Sequence, residues 1–342
     1  MDNRVMDNVC HTLVGVVFGE SGLKRRTRFG NTALIIAANL PDVDVLAFAS
    51  STPAVAIRRG WTHGVLAQIF LPIFLTSLLI GVNRLWPSRR VDATAARTRA
   101  LLFLSYVGVC SHIFLDYLNN YGVRLLMPFS ERWYYGDALF IVDPWLWLVL
   151  GASLVMARRR RSLATARMAL VIVAVYVEVM LASAFASRQA VLKAWTDERG
   201  IVPRALMVGP TFGNPLRKVI IAETEHAYQT GTFTWWPRRI QFETRLIPKN
   251  DQNAAVVRAR GDERFRAILR WARFPYYELE HVNGDTRVTL RDLRFGNRVG
   301  AVSVLVPASR ARASHEGPVP KSTTPVLPPL MTTPTRSSAL GS

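Results

Sequence analysis

Along the first half of the chain, long apolar runs alternate with short polar connections. Residues 64–85 carry no charge before Arg84, and about 22 residues of helix extend about 33 Å, enough to cross a hydrocarbon core. Residues 100–118, 138–157 and 168–186 are of the same kind, each nearly free of charge. Two shorter apolar pieces, 9–19 and 32–40, come first, joined by the basic turn Lys24, Arg25, Arg26, Arg28. Neither is long enough to span alone, so they predict a membrane-embedded hairpin, which is tolerated where protein surrounds it. The pattern therefore predicts an all-α membrane bundle of about six apolar helices, the first two short, over residues 1–187. Asp2 and Asp7 break the basic leader of a secretory signal, so the N-terminus is not read as one.

After residue 187 the pattern becomes alternating, aromatic-rich and charged. Residues 218–223, 227–236 and 240–243 read as antiparallel strands. Residues 253–274 place apolar side chains at helical spacing, with Gly261 and Asp262 as a break. Residues 276–282, the turn Asn283-Gly284-Asp285 and 287–295 form the clearest hairpin, and 298–306 adds a last strand. A small α+β domain over 188–307 is expected, followed by a Ser/Thr/Pro-rich tail, 308–342, disordered by composition.

Charge then orients the bundle. The 342 residues hold 43 Lys plus Arg against 24 Asp plus Glu, a net +19 that would ordinarily raise nucleic acid as a partner. Of the 19 bases before residue 188, however, 14 sit in three connections: four in 24–28, five in 84–99 and five in 158–167. The positive-inside rule makes those connections cytoplasmic, which predicts an outer N-terminus and an extracytoplasmic C-terminal domain. No nucleic-acid partner is then needed to explain them. Cys10 and Cys110 form no CxxC pair, excluding a thiolate zinc site and a disulfide framework; both read as small apolar core residues.

The same topology sorts the acids and histidines. His11, Asp42, Asp44, His63, Asp116, Asp137 and Asp143 fall at or near the outer ends of their segments, with His112 one turn inside Asp116. Counting helical rise puts His11, Asp42, His112 and Asp116 at a common depth, about 18 to 24 Å from the cytoplasmic face. His112 and Asp116 share a helix face, and Asp7 and His11 repeat the spacing. Pro41 ends the second short helix and leaves Asp42 and Asp44 in irregular chain. His63 stands at the mouth of the next span. Ionisable residues at membrane depth are costly and default to function. Three imidazoles with several carboxylates suit a divalent metal, zinc or manganese, so His11, Asp42, Asp44, His63, His112 and Asp116 are the candidate ligands. Asp42 or Asp44 is the candidate general base, and Asp137 a further catalytic candidate. Arg59 and Arg124 lie on the same side and could hold a phosphate or carboxylate. Asp143-Pro144 reads as an N-cap followed by N1 of a helix. Glu178 reads as near the midplane of the last span, where it would pair with a polar group of the bundle, and receives no role.

With these residues in hand, the N-terminal half resembles the inner-membrane metal-dependent hydrolase family, also described as LexA-binding, inner membrane-associated hydrolases. The matching pieces are Met6-Asp7-Asn8-Val9-Cys10-His11, Leu40-Pro41-Asp42-Val43-Asp44, Arg58-Arg59-Gly60-Trp61-Thr62-His63-Gly64 and Ser111-His112-Ile113-Phe114-Leu115-Asp116, with further likeness in Tyr135-Gly136-Asp137 and Ile141-Val142-Asp143-Pro144-Trp145. Many members carry histidine where Arg58 stands and serine where Gly64 stands, so no ligand comes from position 58. The family opens at the Met-Asp step, which makes Met6 a second candidate start. The resemblance implies a multi-pass protein of the bacterial inner (plasma) membrane. Its implied activity is metal-dependent hydrolysis.

A site sunk in the outer leaflet points to membrane lipid as partner and to an amphiphilic or lipid-linked substrate carrying a phosphoester or similar bond. Two other classes compete. An ion-coupled transporter would place acids along a whole transbilayer route. A non-catalytic envelope regulator with a sensing C-terminal domain would tolerate loss of the histidines. Oligomeric state leaves no mark on the pattern.

Overall fold

The computed structural model describes residues 8–49, 58–87, 96–296 and 301–307. Met6, Asp7 and the tail 308–342 lie outside them.

Six helices form the first part: α1 (Asn8–Glu20), α2 (Gly30–Ala37), α3 (Val65–Leu85), α4 (Thr98–Leu118), α5 (Pro144–Arg160) and α6 (Leu163–Arg199). Among the described residues, α3, α4 and α6 are long and apolar enough to cross a membrane. In α3 and α6 only 22% of the most apolar stretch is buried, so their hydrophobic faces point outward, where a water-soluble protein would be polar. α1, α2 and α5, with 13, 8 and 17 residues, are shorter than the ~20 residues of a full span. Of the six apolar segments expected, three therefore have spanning length.

The short pair α1–α2 lies in the middle of the bundle. α1 packs on α5 and α6, through Cys10, Val14, Val17, Leu146, Leu150 and Ala169. α2 packs on α4, which in turn packs on α3, through Ala33, Leu34, Ala37, Leu75, Leu101 and Leu104. Close approach rests on glycine: a Cβ on Gly108 of α4 would collide with Ala37 and reach 2.9 Å from the Ala38 nitrogen.

The three basic connections gather at one end of this bundle. Arg158 pairs with Glu20 at 3.3 Å, the Arg167 guanidinium donates to the Ser21 carbonyl at 3.0 Å, and Arg28 donates to the Asn83 side chain at 2.6 Å. Asp143 caps α5 at the other end, accepting from the Trp145 and Leu146 amides with Pro144 at the first helical position, as its motif predicts. Two readings change. Cys110 is exposed on the outward face of α4. Glu178 is also exposed on α6, pointing away from the bundle.

α6 does not stop where the apolar run does. It continues to Arg199 and ends on Gly200 in the left-handed region, φ 68°. Its last turns, with Val191 and Trp195, become part of the core of a four-stranded antiparallel sheet: β1 (Ala205–Thr211), β2 (Asn214–Glu223), β3 (Ala227–Thr234) and β4 (Arg239–Pro248). β1 escapes the sequence pattern because Gly209 and Pro210 interrupt any alternation. Two short helices follow, α7 (Ala254–Ala259) and α8 (Glu263–Leu269), separated at Gly261 with Asp262 capping the second. They pack on a three-stranded antiparallel sheet of β5 (Pro275–Val282), β6 (Asp285–Asp292) and β7 (Val302–Val306). The predicted hairpin turns at Asn283 and Gly284, both at positive φ, the geometry that favours Asn-Gly.

Candidate metal centre

His112 and Asp116 project from the same face of α4 and are 0% and 2% exposed. Asp42 enters from the 3₁₀ turn that follows α2, and His63 from the tight turn before α3. One ligand atom from each of Asp42, His63, His112 and Asp116 lies within 4.8 Å of all the others. His63 Nε2 stands 3.2 Å from His112 Nε2 and 3.1 Å from Asp116 Oδ2, while His112 Nε2 is 3.8 Å from Asp42 Oδ1.

Hydrogen bonding on the far side of each ring shows what these nitrogens offer. His112 Nδ1 is 2.8 Å from the Ala38 carbonyl, which only accepts, so Nδ1 carries the proton. The Thr62 hydroxyl donates to Asp44 Oδ2 at 2.9 Å, which leaves its lone pairs for His63 Nδ1, also at 2.9 Å. His63 Nδ1 is therefore protonated as well. With both rings neutral, the two Nε2 atoms turn lone pairs toward one another and toward two carboxylates, a repulsion that a cation or a shared proton would relieve. Buried imidazoles held by a carbonyl or carboxylate behind them are the usual form of metal-ligating histidine.

Asp42, Asp44 and Asp116 face two guanidiniums: Arg58 reaches Asp42 and Asp44, both at 3.3 Å, and Arg59 donates to Asp116 Oδ1 at 2.7 Å. With neutral histidines these five groups sum to one negative charge, and a third guanidinium, Arg124, also acts on Asp44. The residues present thus fit a divalent ion in donor type and placement.

The other expected residues take different places. His11 stacks on His112 with centroids 3.8 Å apart, and its Nε2 is 3.5 Å from Asp116 Oδ1, at the edge of the group. Asp44 sits behind His63, accepting from Thr62, the Arg59 backbone amide at 2.8 Å and Arg58. Asp137 does not join them. Its backbone is left-handed, φ 51°, and Arg273 of the second sheet domain takes both carboxylate oxygens, at 3.0 and 2.9 Å. Arg59 is not directed toward a free phosphate space either. Its guanidinium donates to Asp116 and to Asn119 Oδ1 at 2.9 Å and stacks over Tyr121 at 4.7 Å.

Sequence reasoning did not find Arg58 as the bridge between Asp42 and Asp44, Thr62 as the link from Asp44 to His63, or Asn119 and Tyr121 as the seat of Arg59. Arg58 and Thr62 carried a signal, both standing in one short motif with His63.

Residues 6–186, just over half the chain, match the family described as YdjM inner membrane protein. The chain is also similar to the uncharacterized protein YfhP of Bacillus subtilis (strain 168), 25% identical over 117 residues. That stretch is 34% of this chain and 33% of the relative, so the chain spans about a third of the length of the curated protein it matches. No solved structure matches the chain.

Proposed function

The chain belongs to the YdjM inner membrane protein family, and from that premise we propose that it is a multi-pass, metal-dependent hydrolase acting on an amphiphilic phosphoester or similar bond at the outer leaflet. The observation that carries this reading is the convergence of the facing Nε2 atoms of His63 and His112 with carboxylate oxygens of Asp42 and Asp116. These four residues would hold the ion, zinc or manganese by donor type. When bound, such an ion lowers the pKa of its water toward 7 and so supplies a nucleophile at neutral pH.

The remaining work falls to the chain. Asp44, with three groups donating to it, orients His63 and is not available as a base. Asp42 meets Arg58 and His112 through Oδ1 only, so its other oxygen is the better candidate to take a proton. Arg59 holds Asp116 Oδ1 and thereby aims Oδ2 at the histidines. The gathering of the basic connections at one end of the bundle supports a cytoplasmic assignment for that end. An outer-face site and an extracytoplasmic sheet domain follow.

A proton shared between His63 and His112 would also relieve the repulsion and would favour an ion-coupled carrier. Metal analysis of the detergent-purified protein separates the two. Stoichiometric zinc or manganese is expected, lost in His63→Ala and Asp116→Asn, together with release of phosphate from lipid phosphoesters. Metal-free wild type, or equal metal content in both variants, would sink the hydrolase reading.

A further inference from the structure

Lys218 breaks the pattern of its own strand. On β2, residues 218, 220 and 222 share the face that packs on α6; Ile220 and Ala222 meet Val191 and Trp195 there, and Lys218 is 1% exposed among them. An apolar residue is what the alternation requires, and local rules are broken mostly at functional positions. Among the described residues, the ammonium makes no hydrogen bond or ion pair. Asp137, whose field reaches it, is already held at both oxygens by Arg273. Asp143 is occupied too, with Oδ1 capping α5 and Oδ2 accepting from the Tyr176 hydroxyl at 3.0 Å. Burial pushes the Lys218 pKa down to about 8, which leaves it largely protonated at neutral pH. Arg217 beside it is exposed. Asp143 lines the same recess and Asp137 acts on Lys218 from a distance, yet neither carboxylate contacts the ammonium.

Lys218 lines a narrow recess under the β1–β2 hairpin, together with Phe140, Trp145, Tyr176 and Asn214, with room for about one water-sized group. Trp145 fastens the hairpin, donating from its indole to the Gly213 carbonyl at 3.2 Å, and Phe140 meets Phe212 edge to face. Aromatic residues gathered in this way are typical of the membrane–water boundary. From Trp145, Tyr176 and Pro215 the recess opens into an apolar groove between α5 and α6, first of about 300 Å³, then of about 490 Å³, joined at Val149 and Ile172. From Tyr176 to Ala164 the groove descends about 18 Å at 1.5 Å per residue, a little more than the ~15 Å depth of one hydrocarbon leaflet.

We propose that this groove is a binding site for an anionic phospholipid, with one acyl chain laid between α5 and α6 and the phosphate at the rim of the recess, one oxygen turned in toward Lys218. A neutral helix would fill the groove and leave the ammonium unanswered; a phosphate with a tail answers both ends. The site is separate from the His/Asp centre and does not depend on the hydrolase reading.

The test uses full-length protein in nanodiscs of equal parts phosphatidylglycerol and phosphatidylcholine, released into native mass spectrometry. The wild type should retain phosphatidylglycerol over phosphatidylcholine by about fivefold, the ~1 kcal/mol that one base provides toward a headgroup of net negative charge. Lys218→Met, which restores the strand's apolar pattern and should fold, should abolish the preference. Ile172→Trp, on a surface 47% exposed, should block the groove and lower retention of both lipids. Equal retention of the two lipids by wild type, a preference that survives Lys218→Met, or a dimer that Ile172→Trp disrupts would each overturn the proposal. Metal content should be the same in all three proteins.

Discussion

Arg59 shows how much of the centre depends on a single side chain. Its backbone is left-handed, φ 53°, a costly conformation for a non-glycine residue, and Gly60 follows because a Cβ there would collide with the Arg124 guanidinium. In return the planar fork reaches Asp116 and Asn119 at once, which the single ammonium of lysine cannot do. Arg59→Lys should therefore lower metal affinity about 10- to 100-fold, the usual loss when a ligand's outer partner is removed, in a protein of unchanged helix content. Competition against a chelator would measure it, and an unaltered affinity would remove Arg59 from the positioning role. At this scale the four residues that converge were legible in the sequence and their supports were not. His112 and Asp116 announce themselves by an i, i+4 spacing, and Asp42 and His63 by short motifs at matching depth. Asn119, Tyr121 and the Ala38 carbonyl act only through proximity across 60 residues or more, which no local pattern records. Asp137 misled because adjacency to a motif does not reveal where a left-handed residue points.

Among the elements, the short pair α1–α2 decides the geometry. Neither has spanning length, yet α2 must end where its Ala38 carbonyl can hold the His112 ring. Gly108, one turn before His112 on α4, provides that approach, and the next residue up in size already meets Ala37 and Ala38. Gly108→Val should cost about 1 to 3 kcal/mol by overpacking and should also weaken metal binding, because α2 is displaced from His112. Thermal unfolding in detergent with and without added zinc reads both effects. A variant that loses stability but keeps full zinc stabilisation would show that the carbonyl is dispensable. The helices themselves were largely legible from hydropathy, and so was the Asn-Gly hairpin. β1 was not, since Gly209 and Pro210 hide it, and the end of α6 was misplaced because apolar character stops near residue 187 while the helix gains a new apolar partner in the sheet.

For the whole molecule, the sheet domain is tied to the centre through a buried arginine and an aromatic contact. Arg294 and Asp292 pair at 2.8 Å with both side chains 0% exposed, and Arg294 also donates to the Asn120 and Tyr121 carbonyls, at 2.8 and 3.2 Å. Tyr121 in turn packs on Trp271 in the core of the second sheet and lies under Arg59. Arg294→Leu leaves Asp292 buried without its partner, a change that costs about 3 to 5 kcal/mol where it has been measured in other proteins. Hydrogen exchange should then quicken at the Tyr121, Gly122 and Val123 amides, well away from the substitution in sequence. Exchange confined to β6 would show that the two parts are packed side by side without coupling.

α6 adds a consequence of another kind. One unbroken helix of 37 residues, about 55 Å at 1.5 Å per residue, begins among the basic connections and ends inside the sheet core. A hydrocarbon core takes up about 30 Å of that. What is left, where α6 crosses, links the basic end of the bundle to the sheet core over a distance fixed by the number of residues. Adding one helical turn would lengthen that link by about 5.4 Å and return the sheets to nearly the same orientation, whereas adding two residues would swing them by about half a revolution. The chain thereby contains its own ruler.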